Sequence, residues 1–158
     1  MVREGNPKGI KGVQDLARDD VVVSQPGPME HIAAFIEEMY RAAGGEELLE
    51  RILKEKQAAG TTIVTKVHHR ETPKRILDGS ADCGPCWATE AIHAKKSGLP
   101  LDMVEVGPGL DQSDKVLYFV TVLKGAPHPD AARHFFDFLF SDVARAIYSA
   151  HGFLPFDG

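Results

Sequence analysis

Two adjacent imidazoles, His68 and His69, are followed directly by Arg70, Glu71 and Thr72, and further on the chain reads Cys83-Gly84-Pro85-Cys86-Trp87-Ala88-Thr89. Imidazole with carboxylate suits transition-metal ions, guanidinium and hydroxyl groups suit anions, and paired thiols can exchange with a disulfide. Each chemistry makes a demand on the surrounding structure. A metal ion shared by His68 and His69 needs the strand to have ended before them, because neighbouring strand residues point to opposite faces. His68, His69 and Glu71 are therefore metal candidates, with a hydrogen-bonding role for at least one imidazole as the simpler expectation. A thioredoxin-like thiol needs an apolar strand leading into Cys83 and a helix starting there. Here Asp78-Gly79-Ser80-Ala81-Asp82 precedes it, and the Trp follows the motif. A disulfide between Cys83 and Cys86, or two inert thiols, is the expectation, and thiol-disulfide exchange is the alternative function. A zinc site on these thiols lacks two further local ligands. No nucleophile–base arrangement or phosphate-binding glycine loop is recognisable, so neither an enzyme nor a cofactor is expected.

The elements that must position these groups follow from local pattern. Val21–Val23 is a β-branched run that stops at Ser24-Gln25-Pro26-Gly27-Pro28. Ile32, Phe35, Ile36, Met39, Tyr40 and Ala43 recur at helical spacing until Gly44-Gly45, and a second helix runs from Glu46 to Gly60. Thr61–Val67 predicts a strand, and Thr72 predicts an N-cap with Pro73 at the first helical position and Gly79 as the stop. Ala81–Trp87 predicts a strand with Gly84-Pro85 at a bulge or edge, Thr89 a cap for a helix ending at Gly98, and Leu101–Val106 a further strand. Strands alternating with helices imply a largely parallel sheet, and hence a three-layer αβα lobe of the α/β class.

In such a sheet the loops after Val23, Val67 and Cys86 open at one carboxyl edge, where ligands gather. They carry Ser24, Gln25 and Gly27, then His68, His69, Arg70, Glu71 and Thr72, then Trp87 and Thr89. Helix N-termini at the same edge offer N–H groups to an anion. The other histidines (His31, His93, His128, His134, His151) lack ligand spacing and are expected on the surface.

After Val106 the character changes. Gly107–Asp114 is turn-rich, Val116–Leu123 predicts a long apolar strand, and helices follow from Pro129 and from Ser141-Asp142 to Tyr148. This divides the chain into 1–107, an α/β lobe, and 108–158, a return strand and helical tail. Six of the eight Phe lie after residue 134, so the tail has a large apolar surface to cover, and self-association is expected. The net charge of −5, with Lys and Arg dispersed among acids, gives no footprint for nucleic acid. No apolar run reaches the roughly 18 residues of a membrane span. The opening MVREGNPKG has no signal-peptide core; the expectation is either a cytoplasmic protein or a chain beginning downstream of such a signal.

Three stretches carry a family resemblance: NPKGIKGVQDLA, LDGSADCGPCWATEA and VLKGAPHPDAARHFFDFLFSDVARAIYSAHGF. The chain resembles the later two-thirds or so of type II periplasmic solute-binding proteins, especially the molybdate/tungstate/sulfate-binding branch. The second stretch matches that family's G-x-A-D-x-G-x-x-Tyr-x-T-D/E pattern, with Trp87 in place of Tyr. The resemblance implies a periplasmic or extracellular receptor that closes on a small anion or metal ion and docks on an ABC permease. It places His69 and Gly27 at or near backbone contacts to the ligand. It further implies that 1–107 is the second lobe and 108–158 the closing part of a first lobe whose opening segment has no counterpart here. The run HHRETP departs from the family's oxyanion binders. A cytoplasmic effector-sensing domain could share the same fold.

Overall fold

A β-branched run can form a strand only where partners take up its N–H and C=O groups, and among the described residues the strands are short. The computed structural model of the protein describes residues 1–107 and 109–154. Pro108 of the expected linker, and 155–158 with Phe156, lie outside the described residues. The contacts divide into two compact units, Met1–Gln112 and the chain from Ser113 onward.

In the first unit β2 (Val23–Gln25) pairs in parallel with β3 (Thr62–Val64), and β1 (Val2–Arg3) pairs antiparallel with β4 (Leu101–Asp102). Cys83 joins the two pairs, bridging to Val23 in parallel and to Val2 antiparallel. The Ser24 N–H donates to the Cys83 carbonyl at 2.8 Å and the Gly84 N–H to that of Met1 at 3.1 Å. The order is therefore β3, β2, the Cys83 segment, β1, β4, with every strand except β1 running the same way.

Cores lie on both faces of this sheet. On one, Val2, Val21, Val23 and Cys83 pack with Ile32, Ile36, Met39 and Tyr40 of helix α1 (His31–Glu50) and with Ile52 beyond it. On the other, Met1, Leu101, Ile76 and the two alanines Ala91 and Ala94 form a second cluster. Those last three come from α3 (Glu71–Asp78) and α4 (Ala88–Lys96). Consecutive residues Met1 and Val2 thus serve opposite faces, as strand alternation requires. The three-layer α/β reading holds.

Helix α1 covers both helices expected there, bent at Gly44 and at Gly45, whose φ of 70° is readily available only to glycine. It continues through a π-helical turn, Arg51–Glu55, into the short α2 (Lys56–Ala58). Lys56 is buried and donates to the carbonyls of Arg18 (2.6 Å) and Val21 (2.7 Å), fixing the chain just ahead of β2.

The ladders are shorter than the sequence suggests. Thr61–Val67 keeps only Thr62–Val64, because the Lys66, Val67 and His68 amides donate to the Glu71 carboxylate instead. Of Ala81–Trp87 only Cys83 bridges, since Pro85 brings no N–H and the chain turns away. Leu101–Val106 pairs over two residues, while the opening residues Val2–Arg3 supply β1. In the second unit Val116–Leu123 joins no ladder among the described residues. That unit is built on α5 (Pro129–Leu139) and α6 (Asp142–Ala150), the latter capped by Ser141, whose Oγ accepts the Ala144 N–H at 3.2 Å. Phe119 is 90% exposed, Phe135 61% and Phe140 55%. No helix among the described residues is long and apolar enough to cross a membrane.

Candidate functional site

Because β2, β3 and the Cys83 segment run in parallel, their carboxyl ends open on one edge, and the polar groups there converge on Glu30. Gly27 lies in the turn between β2 and α1, and its N–H donates to Glu30 Oε1 and to Thr65 Oγ1, both at 2.9 Å. The Thr65 hydroxyl, just past β3, also donates to Glu30 Oε1. Glu30 Oε2 takes the backbone N–H of His69 and the His69 ring nitrogen Nδ1, the latter at 2.7 Å. Burial raises this carboxyl's pKa, but the Thr65 hydroxyl, the Gly27 and His69 amides and the His69 ring together outweigh it and hold it down to about 2. No side chain could replace Gly27 without moving something, since a Cβ there would lie 2.9 Å from the Thr65 carbonyl oxygen.

His69 continues the chain of contacts. Its Nε2 lies 2.9 Å from Glu90 Oε1 in the first turn of α4, so the ring is held between two carboxylates. Both bonds form together when the ring carries two N–H groups. Glu30, His69 and Glu90 side chains are only 14%, 15% and 22% exposed. The His68 ring stacks obliquely on that of His69, centroids 3.8 Å apart, and is exposed with Nδ1 accepting the Arg70 N–H at 3.2 Å. Ligand atoms of Glu30, His68 and His69 all lie within 4.8 Å of one another.

The remaining candidates serve other ends. Glu71 caps the Lys66, Val67 and His68 amides and pairs with Arg75 at 2.8 Å, so its carboxylate points into the loop. Helix α3 begins at Glu71 with Arg70 as its N-cap residue, a correction to the cap expected at Thr72. The Thr72 hydroxyl instead meets Ser24 Oγ at 2.9 Å, where Arg75 also donates at 3.2 Å. Ser24 and Thr72 are fully buried beneath the edge. Likewise α4 begins at Ala88 with Trp87 as its N-cap residue, so Thr89 lies inside the helix rather than capping it. Trp87 packs edge-on to Phe35 at 5.7 Å and near His31 at 6.4 Å, which ties the start of α4 to the start of α1. Cys83 and Cys86 are free thiols, both raised in pKa chiefly by burial, Cys83 to about 12.

The structure thus brings Gly27 and His69 together through residues that sequence reading passed over: Glu30, Thr65 and Glu90. One signal for Glu30 existed. A carboxylate three residues after a turn glycine can reach back to that residue's N–H, as in a capping box.

Comparison with known proteins places the fold. Residues 1–154 match a family model described as bacterial extracellular solute-binding protein. Among solved structures, the sulfate-binding protein SubI from Mycobacterium tuberculosis H37Rv superposes with a TM-score of 0.72 at 23% identity, over 99% of this chain and 55% of that one. Glycosylated PEB3, in a single-residue variant, superposes with a TM-score of 0.64 at 14% identity, over 99% of this chain and 64% of that one. The chain therefore spans little more than half to two thirds of the length of these structures, and at such identities they speak for the fold. No curated protein matches the sequence.

Proposed function

This chain belongs to the bacterial extracellular solute-binding protein family, and from that premise we propose that it captures a small anionic solute for an ABC-type importer. The solute is an inorganic oxyanion of the sulfate, molybdate or tungstate kind, held in the periplasm or outside the cell at the shared edge of β2, β3 and the Cys83 segment. One observation carries the reading. The loops after β2 and β3 aim the amides of Gly27 and His69, the Thr65 hydroxyl and the His69 ring at a single oxyanionic group, that of Glu30. An edge that gathers so many donors around a carboxylate is one at which anions are stable. Around it stand Arg70, His68 and the N-terminus of α4 at Trp87–Thr89, which offer charge and N–H groups to a solute arriving from outside. The receptor would close on the solute by hinge motion and present the closed form to a permease, with 1–107 as the lobe carrying this edge.

Thiol-disulfide exchange is the poorer reading. A reactive thiol is poised by a lowered pKa, whereas both thiols here are raised by burial. A cytoplasmic sensor of the same fold would still bind at this edge but would have no permease. Trp87, the sole Trp, lies at the start of α4 beside this edge and provides the assay. Titration with sulfate, molybdate or tungstate should change its fluorescence saturably at submillimolar concentrations, while chloride should not. A flat response to all three would overturn the reading.

A further inference from the structure

The donors that ring Glu30 have a second consequence, which concerns what else this edge can hold. The Glu30 carboxylate sits among the loops of this edge, its side chain only 14% exposed. Its orientation is fixed by the Gly27 and His69 amides and the Thr65 hydroxyl. These are the conditions of a carboxylate ready to ligate a metal ion: oriented, and supported by hydrogen bonds from behind. Facing it is a ring nitrogen, His69 Nδ1, 2.7 Å from Glu30 Oε2. The opposite nitrogen of the same ring lies 2.9 Å from Glu90 Oε1. A carboxylate on the far nitrogen keeps a proton there when the near nitrogen gives up its own and turns its lone pair to a cation. The exposed His68 supplies the third ligand, since one of its ring nitrogens falls within 4.8 Å of the Glu30 and His69 ligand atoms.

We infer that Glu30, His68 and His69 form a binding site for a divalent transition-metal ion, with Glu90 as the carboxylate that orients His69. The ion takes the place of the proton shared by Glu30 Oε2 and His69 Nδ1, and that proton is released to solvent. Two imidazoles and one carboxylate suit zinc, nickel or copper better than magnesium or calcium, which prefer oxygen ligands throughout. Three protein ligands leave at least one position open, and this deepens the proposed capture of an anionic solute, resting on that reading only for what fills the open position. It also gives the HHRETP run a purpose. Glu71, the acid nearest His68 in sequence, is engaged with the loop amides, and the ligand comes instead from Glu30, across the sheet edge.

The test is zinc alone, titrated calorimetrically into chelator-treated protein, with cobalt absorption as the spectroscopic check. One equivalent per chain is expected, with a visible cobalt band of imidazole–carboxylate type. His68→Ala removes an exposed ligand with little risk to folding and should weaken zinc at least tenfold; His69→Gln should weaken it further. Glu90→Gln should weaken it roughly 10- to 100-fold, whereas His93→Ala, in the last turn of α4, should leave it unchanged. Stoichiometric zinc binding that survives both His68→Ala and His69→Gln overturns the site, and so does no binding at all. In the latter case a saturable Trp87 response to oxyanions in the same metal-free sample leaves solute capture standing, while a flat response removes both.

Discussion

Replacing Glu30 by Gln removes one charge from the point where the β2 and β3 loops meet, and the structure sets the size of the effect. The carboxyl lies at about 2 in the fold against 4.5 ordinarily. At about 1.4 kcal/mol for each tenfold displacement of the proton equilibrium, that difference favours folding by roughly 3 kcal/mol at neutral pH. Because the folded-state value is depressed, this stability is fully present above pH 4.5 and is lost as the pH falls toward 2. At pH 3 about 1.4 kcal/mol should remain. Glutamine keeps one acceptor oxygen, but its NH2 faces the amide of His69, donor against donor, so it cannot restore the network. Urea unfolding of wild type and Glu30→Gln at pH 7 and pH 3, followed by far-ultraviolet circular dichroism, reads the difference directly. The variant should be less stable by roughly 3 kcal/mol at pH 7 and by about half that at pH 3. A variant within about 0.5 kcal/mol of wild type at pH 7, or a gap unchanged between the two pH values, would refute the idea that these donors stabilise the ionised form.

Other perturbations follow from the same structure. Gly84→Ala should be more damaging than Gly27→Ala, since its Cβ would lie 2.4 Å from the Ser24 carbonyl oxygen and 2.5 Å from Thr72 Cγ2, against 2.9 Å to the Thr65 oxygen for Gly27. Losses of about 1–3 kcal/mol or more in urea unfolding are expected, and the reverse ranking would contradict the packing described. The buried thiols should react with a thiol reagent at neutral pH far more slowly in the native protein than in urea, and the protein should show no insulin-reductase activity; turnover dependent on Cys83 and Cys86 would revive the redox reading. The exposed Phe119, Phe135 and Phe140 of the second unit should drive self-association, seen by light scattering as a dimer or larger species that Phe119→Ser weakens. A monomer at high micromolar concentration would refute it.

The sequence spoke most clearly where a long period was at stake. The helical spacing from Ile32 to Ala43 puts Ile32, Ile36, Met39 and Tyr40 into one core, as observed. Strands were harder to bound. A β-branched run such as Thr61–Val67 has the right residues throughout, yet its last amides belong to the Glu71 carboxylate, a choice made by a side chain and invisible in propensity. Strand β1 was missed because two residues give no alternation to read, and its pairing depends on residues near Cys83 and Asp102, far along the chain. At the candidate site the sequence located the loops but not the residue at their centre. Glu30 sits in an unremarkable turn, and its importance comes from His69 and Thr65, which only the sheet brings beside it. Ser24 and Thr72 show the reverse. Their residue types suggest ligand contacts, but the fold buries them against each other.

A small anionic solute held at the edge where Gly27, Thr65, His69 and the start of α4 meet should perturb the amides of that edge first. Mapping backbone amide shifts during a titration with sulfate or molybdate tests it most directly. Saturable shifts are expected at Gly27, at Thr65–Thr72 and at Trp87–Glu90. Shifts that cluster elsewhere, such as the shallow surface hollow lined by Asn6, Lys95, Asp102 and Val104, would contradict it, as would the absence of any shift at millimolar solute.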